Sequence, residues 1–134
     1  MQIFVVFLRY NKSAGDAIKI ANSSMTNSIK MLMSLARRNP SGLTIATTDF
    51  EKVTRGWVIA LKETQNSFGI AGCEKAFEVA KLKTGYFGGW KMKHLYYFDA
   101  VIITFDEDEA VRLGIENEQI GIYNIETGRY VELS

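Results

Sequence analysis

Two side chains of this sequence are of types that often perform chemistry at neutral pH, the single cysteine Cys73 and the single histidine His94. Cys73 lies near the start of a predicted helix, where the positive end of the helix dipole would lower the pKa of a thiol. Its spacing from Phe77 places it on the apolar face of that helix, however, and Glu74 would oppose the dipole. We therefore predict a buried structural cysteine.

His94 lies in a lysine-rich segment of the chain, close to Trp90 and Tyr96. As a general base it would need a partner to orient it, and Asp99 is the only acid nearby. We favour a surface histidine without a catalytic role. The sequence thus predicts no catalytic residue, and a small transferase or hydrolase built around Cys73 or His94 ranks third among the functional alternatives.

Metal and cofactor sites are not predicted either. One cysteine and one distant histidine cannot form a zinc cluster. The acidic run 106–109 lacks the ligand spacing and the glycine of a calcium loop, so we interpret it as a helix cap. The glycines do not have the spacing of a phosphate loop or a dinucleotide fingerprint, and we interpret Gly88-Gly89 as a turn or a bulge.

Two segments are candidates for binding, and the first is a polar loop between a predicted strand and a predicted helix. Its side chains both donate and accept hydrogen bonds, and a helix N-terminus favours anions. The candidate residues of this loop are Thr64, Gln65, Asn66 and Ser67. They could hold a nucleotide, a phosphate or the backbone of a partner; the alternative is a polar turn that caps the helix.

The second candidate segment, 86–94, interleaves aromatic with cationic side chains. This composition is typical of proteins that stack bases and track phosphates. Its candidate residues are Tyr86, Trp90, Lys91, Lys93 and His94. The alternative is that the aromatic rings pack under a sheet while the lysines extend to water. Because both segments flank the same predicted helix, we hypothesise that they form one concave site.

Length and composition limit the class of protein. The 134 residues, 47% hydrophobic and 23% charged, predict one globular domain over 1–134. The apolar segment 1–9 is too short to span a membrane and lacks the features of a signal peptide. Together with the lone cysteine, this predicts a cytoplasmic protein with no membrane partner.

Charge is distributed unevenly along the chain. Residues 1–95 carry 14 Lys and Arg against 6 Asp and Glu, whereas residues 96–134 carry 2 against 9. One interpretation is a basic surface for a polyanion or an acidic partner. The other, which we favour, is that the two parts interleave in space and neutralise each other.

The element that must position these segments is the run 96–105, an unbroken series of mostly aromatic and β-branched residues. It predicts a central strand buried on both faces. The alternation of side chains places Phe98, Ala100 and Ile102 on one face, and Tyr97, Val101, Ile103 and Phe105 on the other.

The remaining elements surround this strand. Helices are predicted at about 26–38, from 69 or 72 to 84 with Gly85 as C-cap, and from 107 to about 117. Further strands are predicted at 2–9, 43–47, 56–61, 86–90, 119–123 and 129–133, while 16–21 is either a strand or the start of a helix. We expect 43–47 and 56–61 to pair as neighbours. The predicted fold class is α+β, a mostly antiparallel sheet with about three helices packed largely on one face.

Several short sequence motifs between residues 56 and 134 resemble those of small uncharacterised proteins encoded by phages and mobile elements. They include Gly56-Trp57-Val58, the segment 64–69, Gly88-Gly89-Trp90, Tyr97-Phe98-Asp99 and the segment 117–123. The resemblance brings no catalytic set. It implies a small accessory protein that acts by binding, in the manner of those that block host defence proteins or sequester nucleotide signals, and it implies the cytoplasm of the host cell.

Our leading prediction is therefore a non-enzymatic binding protein with a protein partner, such as a phage accessory factor or an inhibitor of a bacterial host protein. The alternative is a nucleic-acid or nucleotide-binding module that uses the basic aromatic hairpin 86–94 and the loop 64–67. Edge strands at 2–9 or 129–133 could also pair two copies into a homodimer.

Overall fold

The computed structural model describes residues 27–134, and the predictions made for 2–9 and 16–21 lie outside this range. The described chain forms three helices and a six-stranded sheet in which every pair of neighbouring strands is antiparallel. The helices are α1 (27–38), α2 (Gly69–Val79, continued by a π-helical turn at Ala80–Thr84) and α3 (Glu107–Glu116). The strands are β1 (Leu43–Ala46), β2 (Trp57–Ala60), β3 (Tyr86–Met92), β4 (Leu95–Thr104), β5 (Gly121–Asn124) and β6 (Tyr130–Glu132). The predicted α+β class is confirmed.

The strand order is β1-β3-β4-β2-β5-β6, so the long hairpin of β3 and β4 forms the middle of the sheet. The expectation that β1 and β2 pair is wrong, because β3 and β4 are inserted between them. These two strands pair over six residues, from Phe87 opposite Ala100 to Met92 opposite Leu95, which is far more than the four residues of β1 or β2 could offer each other.

All three helices pack on the same face of the sheet, here called the helix face. Ile29 and Leu32 of α1 and Phe77 of α2 share one apolar core with Phe87 and Phe98. Ala110 of α3 belongs to a second core with Trp57, Ile59 and Ile122. The alternation predicted for the central strand is confirmed, because Phe98 and Ala100 point into the first core. The prediction that the strand is buried on both faces is wrong. On the face opposite the helices Val101 is buried, but Tyr97 and Ile103 are only partly covered and Phe105 is exposed, because no helix packs there.

The helix caps that the sequence predicts are present at the start of α3 and at the end of α2. The Asp106 side chain accepts hydrogen bonds from the backbone N–H groups of Asp108 and Glu109 at the start of α3. Gly85 closes the turn after α2 in a left-handed conformation, with φ 79°.

Gly88-Gly89 is neither a turn nor a bulge, contrary to the prediction. Both glycines lie buried in the middle of β3. A Cβ atom at Gly89 would lie 3.1 Å from the ring of Phe98, and one at Gly88 would lie 3.3 Å from Val101. The glycines are therefore there to give space to large side chains of β4.

Candidate functional site

The loop 64–67 and the β3–β4 hairpin meet along β4. After β2 the chain leaves the sheet through a 3-10 turn at Lys62–Thr64 and returns beside β4 at Ser67 and Phe68. The Ser67 carbonyl accepts a hydrogen bond of 2.8 Å from the Phe98 N–H, and Phe68 forms a β-bridge with Tyr97. The chain therefore lies beside β4 before and after the loop, and the loop residues themselves leave the edge of β4.

Where the loop leaves β4, the Thr64 side chain takes over one of the hydrogen bonds that a neighbouring strand would make with β4. Its hydroxyl is buried, accepts a hydrogen bond of 3.1 Å from the Ala100 N–H and lies 3.1 Å from the Leu61 carbonyl oxygen. Its Oγ1 atom also lies 3.3 Å from Oδ1 of Asp99. The hydroxyl therefore replaces a backbone carbonyl as the acceptor for Ala100 and connects the ladder to a carboxyl group.

Asp99 lies on β4 on the face opposite the helices, across from Gly88. Burial raises the pKa of its carboxyl to about 7, while hydrogen bonds with Thr64 and Trp90 act in the opposite direction. The sequence analysis considered Asp99 only as a partner for His94. That pairing does not form, because His94 lies in the hairpin turn and Asp99 follows it by five residues of extended strand, or roughly 16 Å.

A group of large apolar side chains extends from Asp99 to the tip of the hairpin on the same face. Trp90 stacks on Tyr97, with ring centroids 5.0 Å apart, and Phe68 contacts the other side of Tyr97 at 5.9 Å. Met92 and Leu95 are paired next to the turn. Four of the five are exposed by 40% or more, namely Phe68, Trp90, Met92 and Leu95. We call Phe68, Trp90, Met92, Leu95 and Tyr97 the hairpin surface.

Strand alternation separates the cations of the hairpin from this surface. Lys91 pairs with Tyr96 on the helix face, and its Nζ atom lies 5.7 Å from the centroid of the Tyr96 ring. Lys93 and His94 form the exposed two-residue turn, and Lys93 adopts a φ of 57°. Residues that alternate in the sequence are thus placed on opposite faces of the hairpin.

The other predicted binding residues are dispersed. Gln65 and Asn66 are exposed in the turn, while Ser67 is buried and its hydroxyl has no hydrogen-bond partner among the described residues. Tyr86 lies at the far end of β3, paired with Ala46. Of the nine predicted residues, Thr64 lies against Asp99, and Trp90 is the diagonal cross-strand neighbour of Asp99 on the same face of the hairpin.

Cys73 is fully buried, as predicted. Burial, with a smaller effect of Glu74, raises the pKa of its thiol to about 12. A thiol with so high a pKa is almost entirely protonated at neutral pH, and the thiolate is the nucleophile. The structure therefore assigns Cys73 to the core and not to catalysis.

Comparison with known proteins gives no further guide, because the chain matches no protein-family model, no curated protein and no solved structure. Within residues 27–134, no three histidine, cysteine or acidic side chains converge into a potential metal site. No helix in that part of the chain combines the length and apolar character that crossing a bilayer requires.

Replacing Thr64 by valine tests its role in the ladder. Valine has a similar shape but no hydroxyl, so the buried Ala100 N–H would lose its acceptor, and we expect the free energy of unfolding to fall by about 1–3 kcal/mol. Thr64→Ser keeps the hydroxyl and is the matched control, for which a loss below about 1 kcal/mol is expected. Urea denaturation at pH 6 measures both, and equal losses in the two variants would contradict the assignment.

Proposed function

We propose that this is a non-enzymatic binding protein that engages another protein through the hairpin surface. The observation that carries the proposal is the contiguous exposure of Trp90, Met92 and Leu95 on one face of the β3–β4 hairpin, together with Phe68 beside it. Exposed apolar side chains that occur singly need no explanation, whereas a contiguous group is typical of an interaction site. Tryptophan is also among the residues most enriched at the energetic centres of protein interfaces.

The charge next to this surface supports a proposal for the chemistry of the partner. The hairpin turn places Lys93 next to Met92 and Leu95, and residues 86–95 contain no acidic residue. We infer a partner protein whose contact region is apolar at its centre and acidic at its rim. Such rim charges would act mainly on the association rate and on its dependence on salt.

Two features of the hairpin favour a protein over a nucleic acid. Base stacking along a phosphate backbone requires cations beside the aromatic rings, and here Lys91 lies on the face opposite to Trp90 and Tyr97. One side of the Trp90 ring is also already covered by Tyr97. The remaining surface suits an apolar side chain of a partner.

The resemblance to phage and mobile-element proteins extends this proposal to a cellular context. The hairpin surface lies within the part of the chain, 56–134, that carries the resemblance. We propose that the protein acts in the cytoplasm of a bacterial host and that its partner is a host protein, such as a component of host defence.

Affinity capture from bacterial lysate tests the proposal, with the tagged protein and two surface variants. Met92→Asp places a carboxylate on the hairpin surface, and Ile120→Asp makes the same kind of change at an exposed residue, 68% accessible, that is not part of this surface. We expect one stoichiometric protein that survives nuclease treatment, is retained by Ile120→Asp and is lost with Met92→Asp. With that protein purified, we expect Met92→Asp to weaken binding by about tenfold or more.

The dependence of the binding affinity on salt concentration can contradict the proposal. If nucleic acid co-purifies and the logarithm of the affinity falls steeply and linearly with the logarithm of the salt concentration, phosphate contacts dominate. That outcome would contradict a protein partner and favour the nucleic-acid alternative. Equal loss of the captured protein in both variants would show that another part of the molecule binds it.

A further inference from the structure

We propose that the outer edge of β6 pairs with the same edge of a second copy of this chain, in an antiparallel register that sets Tyr130 opposite Glu132 of the second copy. This edge lies at one end of the sheet, and β2 and β5 separate it from the hairpin of β3 and β4. The pairing therefore does not depend on the protein partner proposed for the hairpin surface.

The sheet has two edges, and the described chain covers one of them. Outside β1, the N–H of Ala46 donates a hydrogen bond of 2.9 Å to the carbonyl of Glu51. The N–H of Val53 donates one of 2.8 Å to the carbonyl of Thr44. Outside β6, by contrast, no strand or isolated bridge is formed by any part of 27–134. An uncovered edge of this kind is a template for pairing with another strand.

The hydrogen bonds between β5 and β6 show which backbone groups of β6 face outwards. The Arg129 carbonyl accepts a bond of 2.8 Å from the last residue of β5, and the Leu133 N–H donates one of 2.7 Å to the residue before β5. Bonds to one neighbour recur at every second residue of an antiparallel strand, so Val131 also faces β5. The N–H and C=O groups of Tyr130 and Glu132 therefore point away from the sheet.

The side chains of β6 leave this edge accessible. The ring of Tyr130 lies across Gly121 of β5, so closely that a Cβ atom at that position would collide with it. Arg129 is turned towards the helix face, where its guanidinium lies 2.7 Å from the carboxylate of Glu107. The segment 129–133 also contains no lysine or proline, the residues that commonly block an edge strand.

A second copy supplies an edge that matches this one. In a twofold antiparallel pair, outward-facing residues must meet outward-facing residues, so few registers are possible. Glu132 opposite Glu132 would bring two carboxylates together. Tyr130 opposite Tyr130 would pair Glu132 with Gly128, whose φ of 72° turns the backbone out of the strand. Tyr130 opposite Glu132 avoids both faults, and it lets both residues of each copy form their outward hydrogen bonds.

This pairing also determines how the two copies face. The twofold axis is perpendicular to the sheet, so the helix faces of both copies lie on one side and the hairpin surfaces on the other. If the hairpin surface binds a protein as proposed above, the dimer presents two such surfaces in the same direction. A partner with two binding sites would then gain affinity from the raised effective concentration.

Sedimentation equilibrium of the purified protein tests the dimer. Loading concentrations from about 5 µM to about 500 µM are needed, because a short interface gives weak association. Glu132→Pro removes an outward N–H that has no bond within the sheet, and proline is tolerated in edge strands. We expect it to raise the dissociation constant of the dimer by about tenfold or more. Glu132→Gln is the matched control, which keeps the N–H, loses the same charge and should dimerise at least as tightly as the wild type.

Charge reversal tests the register. Tyr130→Glu places a carboxylate opposite Glu132 of the second copy, and the dissociation constant should rise by about tenfold. Adding Glu132→Lys to that variant sets opposite charges across from each other and should restore dimerisation. In either of the other registers the double variant keeps like charges opposite each other, so no restoration would occur. Circular dichroism checks that each variant is folded.

A protein that remains monomeric at about 500 µM would overturn the proposal. A dimer that persists in Glu132→Pro, or one that the double variant does not restore, would also overturn it. Met92→Asp controls for self-association through the hairpin surface, and loss of the dimer in this variant would contradict pairing through β6. Capture of a partner protein is expected to survive in Glu132→Pro, so the dimer and the proposed partner can fail separately.

Discussion

Replacement of Phe98 by alanine is expected to lower the free energy of unfolding by about 3–5 kcal/mol, the usual cost of truncating a buried phenylalanine. Phe98 is 1% exposed at the centre of the first core, and its ring stacks on Phe87 with centroids 5.5 Å apart. Gly89 has no side chain at the point where Phe98 passes over it, so no neighbouring group on β3 stands ready to fill the cavity. Denaturation in urea measures the loss.

The matched control is Leu95→Ala on the same strand. Leu95 is 42% exposed at the tip of the hairpin, so its truncation should cost less than about 1 kcal/mol. Phe98→Leu should fall between the two, because leucine keeps most of the apolar volume. Equal losses for Phe98→Ala and Leu95→Ala would show that β4 is not anchored to the core through Phe98.

This anchor also explains how the core positions the candidate site. Phe98 lies between Tyr97 and Asp99 in the chain, and alternation along the strand makes both of its neighbours point to the opposite face. Fixing Phe98 in the core therefore fixes the position of Tyr97 in the hairpin surface and of Asp99 against Thr64. We expect truncation of Phe98 to disturb the hairpin surface even where the protein remains folded.

The elements themselves were predictable from the sequence because each has a local signal. The acidic run at 106–109 marks the start of α3, and the segment 39–42 marks the end of α1. The order of strands was not predictable in the same way. Pairing of β1 with β3 joins residues 40 to 46 positions apart, and it depends on the length of the hairpin, which local patterns do not encode.

The site was predictable only in part, for a physical reason that Lys91 and Trp90 illustrate. As neighbours in the sequence they suggested one mixed surface, but strand pairing placed them on opposite faces. Once 86–94 is taken as a hairpin with its turn at Lys93 and His94, alternation alone predicts that Trp90 and Met92 share a face. The hairpin surface was therefore predictable from the alternation of side chains along the strands.

Asp99 could not be identified from the sequence in the same manner. Its importance depends on the hydroxyl of Thr64, 35 positions away, being inserted into the ladder beside β4. Placing an acid in the middle of an apolar strand is costly unless the acid is neutral or paired. That cost was the available signal, since Asp99 is the one charged residue between Tyr96 and Phe105.

The pH dependence of stability follows from this cost, and its sign is unusual for an aspartate. The pKa of Asp99 is about 7 in the folded protein against an ordinary 3.8. Between these values the folded protein binds a proton that the unfolded chain has released, so a rise in pH favours unfolding. The stabilisation is present below about pH 4 and is lost as the pH rises through 7. The upper limit of the loss is about 4 kcal/mol.

Asp99 is only partly buried, and solvent screening lowers this figure, so we expect the wild type to lose about 2 kcal/mol between pH 5 and pH 8. In Asp99→Asn the side chain is neutral at every pH, and its amide can donate to Thr64 as the protonated acid does. We therefore expect this variant to lose the pH dependence and to be the more stable protein at pH 8. Urea denaturation across this range measures both, with His94→Gln as the control for the imidazole. If the stability of the wild type changed between pH 5 and pH 8 by the same amount as that of Asp99→Asn, the carboxyl would be ionised in the folded state throughout this range, which would contradict the prediction.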